Sequence, residues 1–72
     1  MSVGAEIKRR REAANMTQDE LARVVCVSQG AIAQFERGYT LPSLATLCRI
    51  ADVLKTTPAA LLTDGTSKEV RE

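Results

Sequence analysis

The chain has 72 residues, a formal net charge of +1 and no histidine, a length that allows one small domain and excludes two. Aromatic residues make up 3% of the chain and hydrophobic residues 44%, which favours helices around an aliphatic core over a small barrel or sandwich. No apolar run approaches the roughly 20 residues of a membrane span. The basic residues near the N-terminus precede polar residues and not the apolar stretch of a secretory signal. We therefore expect one all-α domain that lies in the cytoplasm.

Residues for catalysis or metal binding are scarce. A structural zinc site needs four cysteine or histidine ligands, and the chain offers only Cys26 and Cys48. A cysteine nucleophile also needs a base, which is usually histidine. We therefore expect both thiols to be small buried apolar residues, and we expect no metal, no cofactor and no enzymatic activity.

Apolar spacing and capping residues divide the chain into five helices. Asparagine and glycine, which tolerate left-handed backbone, follow the first and third helices, and proline opens the fifth. The second helix begins with a capping box formed by Thr17 and Glu20. We expect one domain over residues 1–62 and a polar, flexible tail over 63–72. The predicted helices, with their caps, are 3–14 (Ser2 and Asn15), 18–25 (Thr17), 29–37 (Ser28 and Gly38), a fourth after Ser43 and a fifth over 58–62 after Thr57.

The fourth helix carries more apolar residues than one stripe can hold. Spacings of three and four predict an inward face made by one set of positions, with Ile50 and Val53 lying off it. The predicted inward residues are Leu44, Leu47, Ala51 and Leu54.

The second and third helices are joined by a tight turn at residues 26–27. Helices this close cross steeply, so the residue nearest the crossing must be small, and Ala22 occupies that position. The third helix packs through its apolar residues Ala31, Ile32 and Phe35. Its opposite face contains no acidic residue and consists of Gln29, Gly30, Ala33, Gln34 and Arg37.

This outer face has the chemistry of a base-reading surface. Glutamine can hydrogen-bond an adenine edge through two contacts, and arginine can bind a guanine edge or a phosphate. Gly30 and Ala33 permit a close approach, and Ala33 suits a thymine methyl group. The alternative is a solvated helix face, although such a face would more often mix glutamate and lysine.

Positive charge is concentrated near the N-terminus. Four consecutive basic residues occupy positions 8–11, and they are either a phosphate-binding cluster or a solvated helix face. If they meet phosphates, binding to a nucleic acid should weaken steeply with salt despite the small net charge.

Four spaced motifs agree with this organisation: MTQDELA at 16–22, VSQGAI at 27–32, FERG at 35–38 and PSL at 42–44. Together they resemble the phage repressor/Cro-type, XRE-like helix-turn-helix family over residues 3–62. The resemblance implies a compact five-helix, lambda-repressor-like domain whose third helix lies in the DNA major groove, the docking geometry known for phage repressors.

The resemblance also implies roles for individual residues. Gln29 and Gln34 match the family's base-reading positions, and Gly30 occupies a third, where longer polar side chains are common. Base contacts are expected from Gln29, Gly30, Ala33 and Gln34. Phosphate contacts are expected from Thr17, Gln18, Ser28, Arg37, Tyr39, Thr40 and Arg10.

Two further positions match structural features of similar proteins. Arg11 and Glu36 match a partly buried ion pair between the first and third helices; the alternative is that Arg11 belongs only to the basic face. Cys26 occupies a turn position that is often glycine, because the backbone φ at that position tends to be positive. A positive φ costs a non-glycine residue on the order of 1 kcal/mol.

The expected function is a sequence-specific repressor or regulator that binds double-stranded DNA as a homodimer, without a small-molecule effector. An alternative is an antitoxin or adaptor of the same fold whose main partner is another protein. In similar proteins the region of the fifth helix forms the two-fold contact; the alternative is that these residues only complete the monomer core. The expected interface residues are Val53, Ala59, Ala60, Leu61 and Leu62.

Overall fold

A computed structural model describes residues 3–62, and these residues form five α-helices and no strand. The predicted all-α architecture is therefore confirmed, with the first helix ending one residue earlier than expected. The predicted cap Ser2 and the predicted tail over 63–72 lie outside the described residues. The helices are α1 (Val3–Ala13), α2 (Gln18–Val25), α3 (Gln29–Arg37), α4 (Leu44–Val53) and α5 (Pro58–Leu62).

All five helices contribute aliphatic side chains to one core. The helix α1 packs against α3 and α5, α2 packs against α3 and α4, and α4 packs against α5. Burying each large aliphatic side chain stabilises the fold by about 1.5–3 kcal/mol. The buried apolar residues are Ile7, Leu21, Ala22, Val25, Ile32, Leu47, Ile50, Ala51, Leu54 and Leu61, with Phe35 partly buried against them.

The helices α1 and α3 approach each other through a glycine. A Cβ atom at Gly4 would lie 2.0 Å from the carbonyl oxygen of Phe35 and 2.9 Å from that of Glu36. Any side chain at this position would force the two backbones apart. Arg11 follows Gly4 by seven residues and lies on the same face of α1, so the close approach brings Arg11 towards α3.

Side-chain caps begin the helices where the sequence predicts them. The Thr17 hydroxyl accepts the Glu20 N–H at 3.0 Å, and the Glu20 carboxylate accepts the Thr17 N–H at 2.9 Å, which completes the capping box. The hydroxyls of Ser28, Ser43 and Thr57 each accept the N–H three residues later, at 3.0–3.2 Å. These contacts satisfy N–H groups that have no partner within the helix.

The first four helices end in the same way. The residue after each last turn has a positive φ, and the next N–H bonds the carbonyl five residues earlier at 2.9–3.1 Å, which is the Schellman motif. Only one of the four residues is glycine, so three L-residues carry left-handed backbone. The four are Asn15 (φ 61°), Cys26 (66°), Gly38 (83°) and Lys55 (60°).

The prediction that both thiols are buried is wrong, because Cys26 and Cys48 are exposed. Cys26 lies in the left-handed turn after α2, where the chain reverses at the surface. Cys48 lies in α4 beside the buried residues Leu47 and Ala51, at a position that the core does not cover.

The predicted inward face of α4 is also partly wrong. Leu47, Ala51 and Leu54 are buried, but Leu44 is 71% exposed, and Ile50 is fully buried. Both the predicted and the observed stripe use spacings of three and four, so periodicity does not separate them. Packing against both α2 and α5 decides which stripe is buried.

Replacing Cys26 by glycine should stabilise the fold by about 0.5–1 kcal/mol. Relief of the left-handed conformation contributes about 1–2 kcal/mol, and the greater freedom of glycine in the unfolded chain offsets part of it. Urea unfolding measures the change, with Cys26→Ala as the matched control that removes the thiol and keeps the strained φ. Equal stabilities of the two variants would contradict this explanation.

Candidate nucleic-acid interface

The turn between α2 and α3 fixes how the outer face of α3 is presented. Three residues, 26–28, separate the two helices. Leu21, Ala22 and Val25 of α2 and Ile32 of α3 are fully buried, so the inner sides of both helices are held in the core. The expected outer face is accordingly at the surface: Gln29, Gly30, Gln34 and Arg37 are exposed, and Ala33 is half-buried.

A buried ion pair links α1 to α3. Arg11 Nε lies 2.6 Å from Glu36 Oε2, and Arg11 Nη2 lies 3.2 Å from Glu36 Oε1. Arg11 Nη1 donates to the Met16 carbonyl at 2.6 Å, which ties the turn after α1 to the same group. The two side chains are 10% and 3% exposed. The ion pair implied by the family resemblance is therefore present. The hydrogen bond to Glu36 raises the pKa of the Arg11 guanidinium.

Two glutamines extend this ion pair to the surface. Gln18 Nε2 donates to Glu36 Oε1 at 3.0 Å, and Gln29 Nε2 donates to Gln18 Oε1 at 2.7 Å. Gln29 and Glu36 are seven residues apart and lie on one face of α3, and the Gln18 amide spans the space between them from α2. Sequence reasoning missed this network, although the seven-residue spacing was visible.

The basic run of α1 presents less free charge than its sequence indicates. The carboxylate of Glu6 accepts hydrogen bonds from Arg9 and from Arg10 Nε, the latter at 2.7 Å. The hydrogen bond from Arg9 lowers the pKa of the Glu6 carboxyl. Arg11 is buried in its own ion pair. Within residues 3–62, Lys8 is thus the one member of the run without an ion pair. The i,i+3 and i,i+4 spacings from Glu6 could have predicted this.

The remaining predicted phosphate contacts lie at helix starts and in one loop. The exposed hydroxyls of Thr17 and Ser28 accept backbone N–H groups and can still donate their own protons. Arg37 ends α3 and forms no ion pair among the described residues. Tyr39 (71% exposed) and Thr40 follow in the exposed loop.

The predicted dimer residues divide into two groups. Leu61 is fully buried because α5 packs it into the core, so the prediction that Leu61 contacts a partner is wrong. Ala59 is exposed, Val53 and Ala60 are half-buried, and Leu62 is 47% exposed.

Removing the Arg11 side chain should destabilise the fold far more than removing its neighbour. Arg11→Met leaves the buried Glu36 carboxylate without its charge partner, which costs about 3–5 kcal/mol. Arg10→Met, the matched control, leaves Glu6 bound to Arg9 and should cost less than about 1 kcal/mol. Urea unfolding of the two variants measures both changes, and equal losses would show that the buried pair has no special weight.

None of the five helices in the described part of the chain is long and apolar enough to cross a membrane. Comparison with curated protein sequences gives no match.

Solved structures of DNA-bound proteins are similar to the chain. The P22 c2 repressor protein in complex with a synthetic operator is 33% identical, and the match covers 88% of this chain and 96% of that chain with a TM-score of 0.85. SinR, a master regulator for biofilm formation solved in complex with DNA, is 27% identical over 82% of this chain and 95% of that chain, with a TM-score of 0.77.

An enzyme contains a similar domain. Hydroxypropylphosphonic acid epoxidase from S. wedmorenis is 33% identical over 83% of this chain but only 32% of that chain, with a TM-score of 0.76.

The helix-turn-helix family model matches residues 7–61, which include all of α2, α3 and α4. The chain belongs to the helix-turn-helix family.

Proposed function

We propose that the chain is a DNA-binding transcriptional regulator that acts as a repressor and reads operator half-sites with α3 in the major groove. The observation that carries this proposal is the exposed face of α3, which presents Gln29, Gln34 and Arg37 and no carboxylate. The similar P22 c2 repressor and SinR, both solved with DNA, support DNA as the ligand.

Gly30 supports a close approach of α3 to DNA. A Cβ atom there would meet nothing nearer than the Ser28 hydroxyl at 3.9 Å, so packing within the described chain does not require glycine. Glycine in an exposed helix costs about 1 kcal/mol relative to alanine. The glycine is explained if this face of α3 must approach another molecule closely. Ala33, on the same face, is also small.

Phosphate binding in this proposal relies on few free positive charges. Gln18 retains one amide N–H beyond its bond to Glu36, and the N-termini of α2 and α3 offer backbone N–H groups favourable to anions. Arg37, Tyr39 and Thr40 extend this surface past the end of α3. Arg10 shares its guanidinium with Glu6, so its expected phosphate contact is the weakest of the set.

We also propose that two chains occupy one operator. Two half-sites one DNA turn apart require third helices separated by about 34–36 Å, and each additional half-site multiplies the affinity through effective concentration. Because Leu61 lies in the core, the proposed contact surface consists of the other four predicted residues: Val53, Ala59, Ala60 and Leu62. This small surface favours dimers that form on the operator.

We propose no enzymatic activity. The similarity to the epoxidase covers about a third of that chain and lies in the helix-turn-helix part that the chain shares with the DNA-bound regulators.

Selection of duplexes from a random pool tests the proposed function directly. The wild-type protein should recover a consensus, and Gln34→Ala should lose preference at one base pair per half-site, because a two-contact glutamine–adenine interaction contributes about 1–3 kcal/mol of discrimination. Asp52→Ala, on the exposed side of α4, is the control and should leave the consensus unchanged. Failure of the wild-type protein to enrich any sequence would favour a protein partner over DNA.

Sedimentation of the selected operator complex tests the assembly. We expect two chains per operator, and Leu62→Lys should weaken binding of the second chain by placing a charge in the contact. Leu44→Lys is the matched control, since Leu44 is more exposed (71% against 47%) and lies outside the proposed surface. One wild-type chain per full operator would contradict the dimer.

A further inference from the structure

The hydrogen bonds that run from the core to the surface have a fixed direction. Arg11 carries only donors, and the ionised carboxylate of Glu36 has only acceptors. Gln18 can therefore bond Glu36 only through its Nε2, at 3.0 Å. This contact orients the Gln18 amide, so that its oxygen is directed towards Gln29 of α3.

The orientation of Gln18 determines that of Gln29. Because Gln18 offers its oxygen to α3, Gln29 must bond it through Nε2, at 2.7 Å. Gln29 is exposed and keeps one N–H and the carbonyl oxygen Oε1 for a ligand. Within residues 3–62 the bond to Gln18 is the one hydrogen bond that the Gln29 side chain forms, and it uses one of the two amide hydrogens.

One donor beside one acceptor matches adenine and not guanine. In the major groove, adenine presents an acceptor at N7 and a donor at N6, whereas guanine presents acceptors at both N7 and O6. If the order of the hydrogen bonds were reversed, Gln29 would have both amide hydrogens free and its oxygen engaged by Gln18. It would then suit the two acceptors of guanine.

We infer that Glu36, which lies in the core and not on the DNA-facing surface, is a positioning residue that sets the base preference of Gln29 through Gln18. The inference rests on the proposed function, since it concerns the base that α3 reads. It assigns to the buried pair a role in specificity in addition to its role in holding α1 against α3.

Replacement of Glu36 by glutamine should reverse the direction. The closest contact of the pair, 2.6 Å from Arg11 Nε to Oε2, requires an acceptor, so the new carbonyl oxygen takes that position. The new amide nitrogen then faces Gln18, which must turn its own oxygen towards it and its Nε2 towards Gln29. The hydrogen bonds from position 36 to Gln18 and from Gln18 to Gln29 are both reversed without a change in side-chain size. Arg11 Nε keeps its acceptor, whereas the longer bond of Arg11 Nη2 to Oε1, at 3.2 Å, is lost.

The test compares Glu36→Gln with the wild-type protein in selection from the same random duplex pool. The position read by Gln29 is identified as the one whose preference is lost in Gln29→Ala. At that position the ratio of adenine to guanine should fall by about tenfold or more in Glu36→Gln, which is within the discrimination of one two-contact pair. A wild-type preference for guanine, or an unchanged ratio in the variant, would overturn the inference.

Two controls separate direction from simple loss of stability. Arg11→Lys weakens the ion pair but leaves Glu36 as an acceptor, so the ratio should stay within about threefold of the wild-type value. Gln18→Ala removes the link, and adding Glu36→Gln to it should then change the ratio no further. An effect of Glu36→Gln that persists without Gln18 would contradict transmission through that side chain.

The free protein provides a readout that does not depend on DNA. The side-chain amide NMR signals of Gln29 should shift in Glu36→Gln and in Gln18→Ala, but not in Asp52→Ala.

If Glu36→Gln does not fold, its amide signals will lose their dispersion. Gln18→Ala alone must then lower the adenine ratio, because it frees both amide hydrogens of Gln29. A wild-type protein that selects no sequence contradicts the proposed function and the inference together, whereas a consensus insensitive to these variants contradicts the inference alone.

Discussion

The contact between α1 and α3 is the constraint on which the rest of the structure depends. Gly4 lets the two backbones touch, and Arg11 then reaches Glu36 with two hydrogen bonds in a nearly closed environment. A buried ion pair contributes little net stability compared with apolar packing, but it strongly penalises any arrangement that separates its charges. It therefore restricts α3 to a narrow range of positions relative to α1, in a fold whose core is otherwise built from non-directional aliphatic contacts.

This restriction extends to the surface through directional bonds. Aliphatic side chains can slide by small distances with little change in energy, whereas the bonds from Glu36 to Gln18 and from Gln18 to Gln29 require defined distances and defined donor and acceptor positions. Gln29 is thus held before any ligand arrives, although it is exposed. Side chains ordered in advance lose less entropy on binding, so the network favours recognition by this part of α3.

Local signals in the sequence predicted most of the fold. Capping and helix-breaking residues act on the backbone next to them, so their effects do not depend on distant packing. In this chain they are the hydroxyls of Thr17 and Ser28, the glycine at position 38 and the proline at position 58. The inward face of α4 was partly mispredicted because it depends on how α4 meets α2 and α5. The left-handed residue Lys55 carries no sequence signal. The pairing of Glu6 with two arginines follows helix spacings that the sequence contains. The link through Gln18 joins two helices and involves particular rotamers, which composition and periodicity do not specify.

The outer face of α3 shows how function and fold impose different requirements on one helix. Its inner side holds Ile32 in the core, and its end closes in a Schellman motif at Gly38, both of which stabilise the domain. Gly30 lowers helix stability and fills no tight space. In a domain this small, net stability is only about 5–15 kcal/mol, so a cost of about 1 kcal/mol at an exposed position is a substantial fraction of it. The residues of α3 that the fold does not explain lie on one side of the helix, and that side is the one where a close-fitting ligand such as the major groove of DNA would lie.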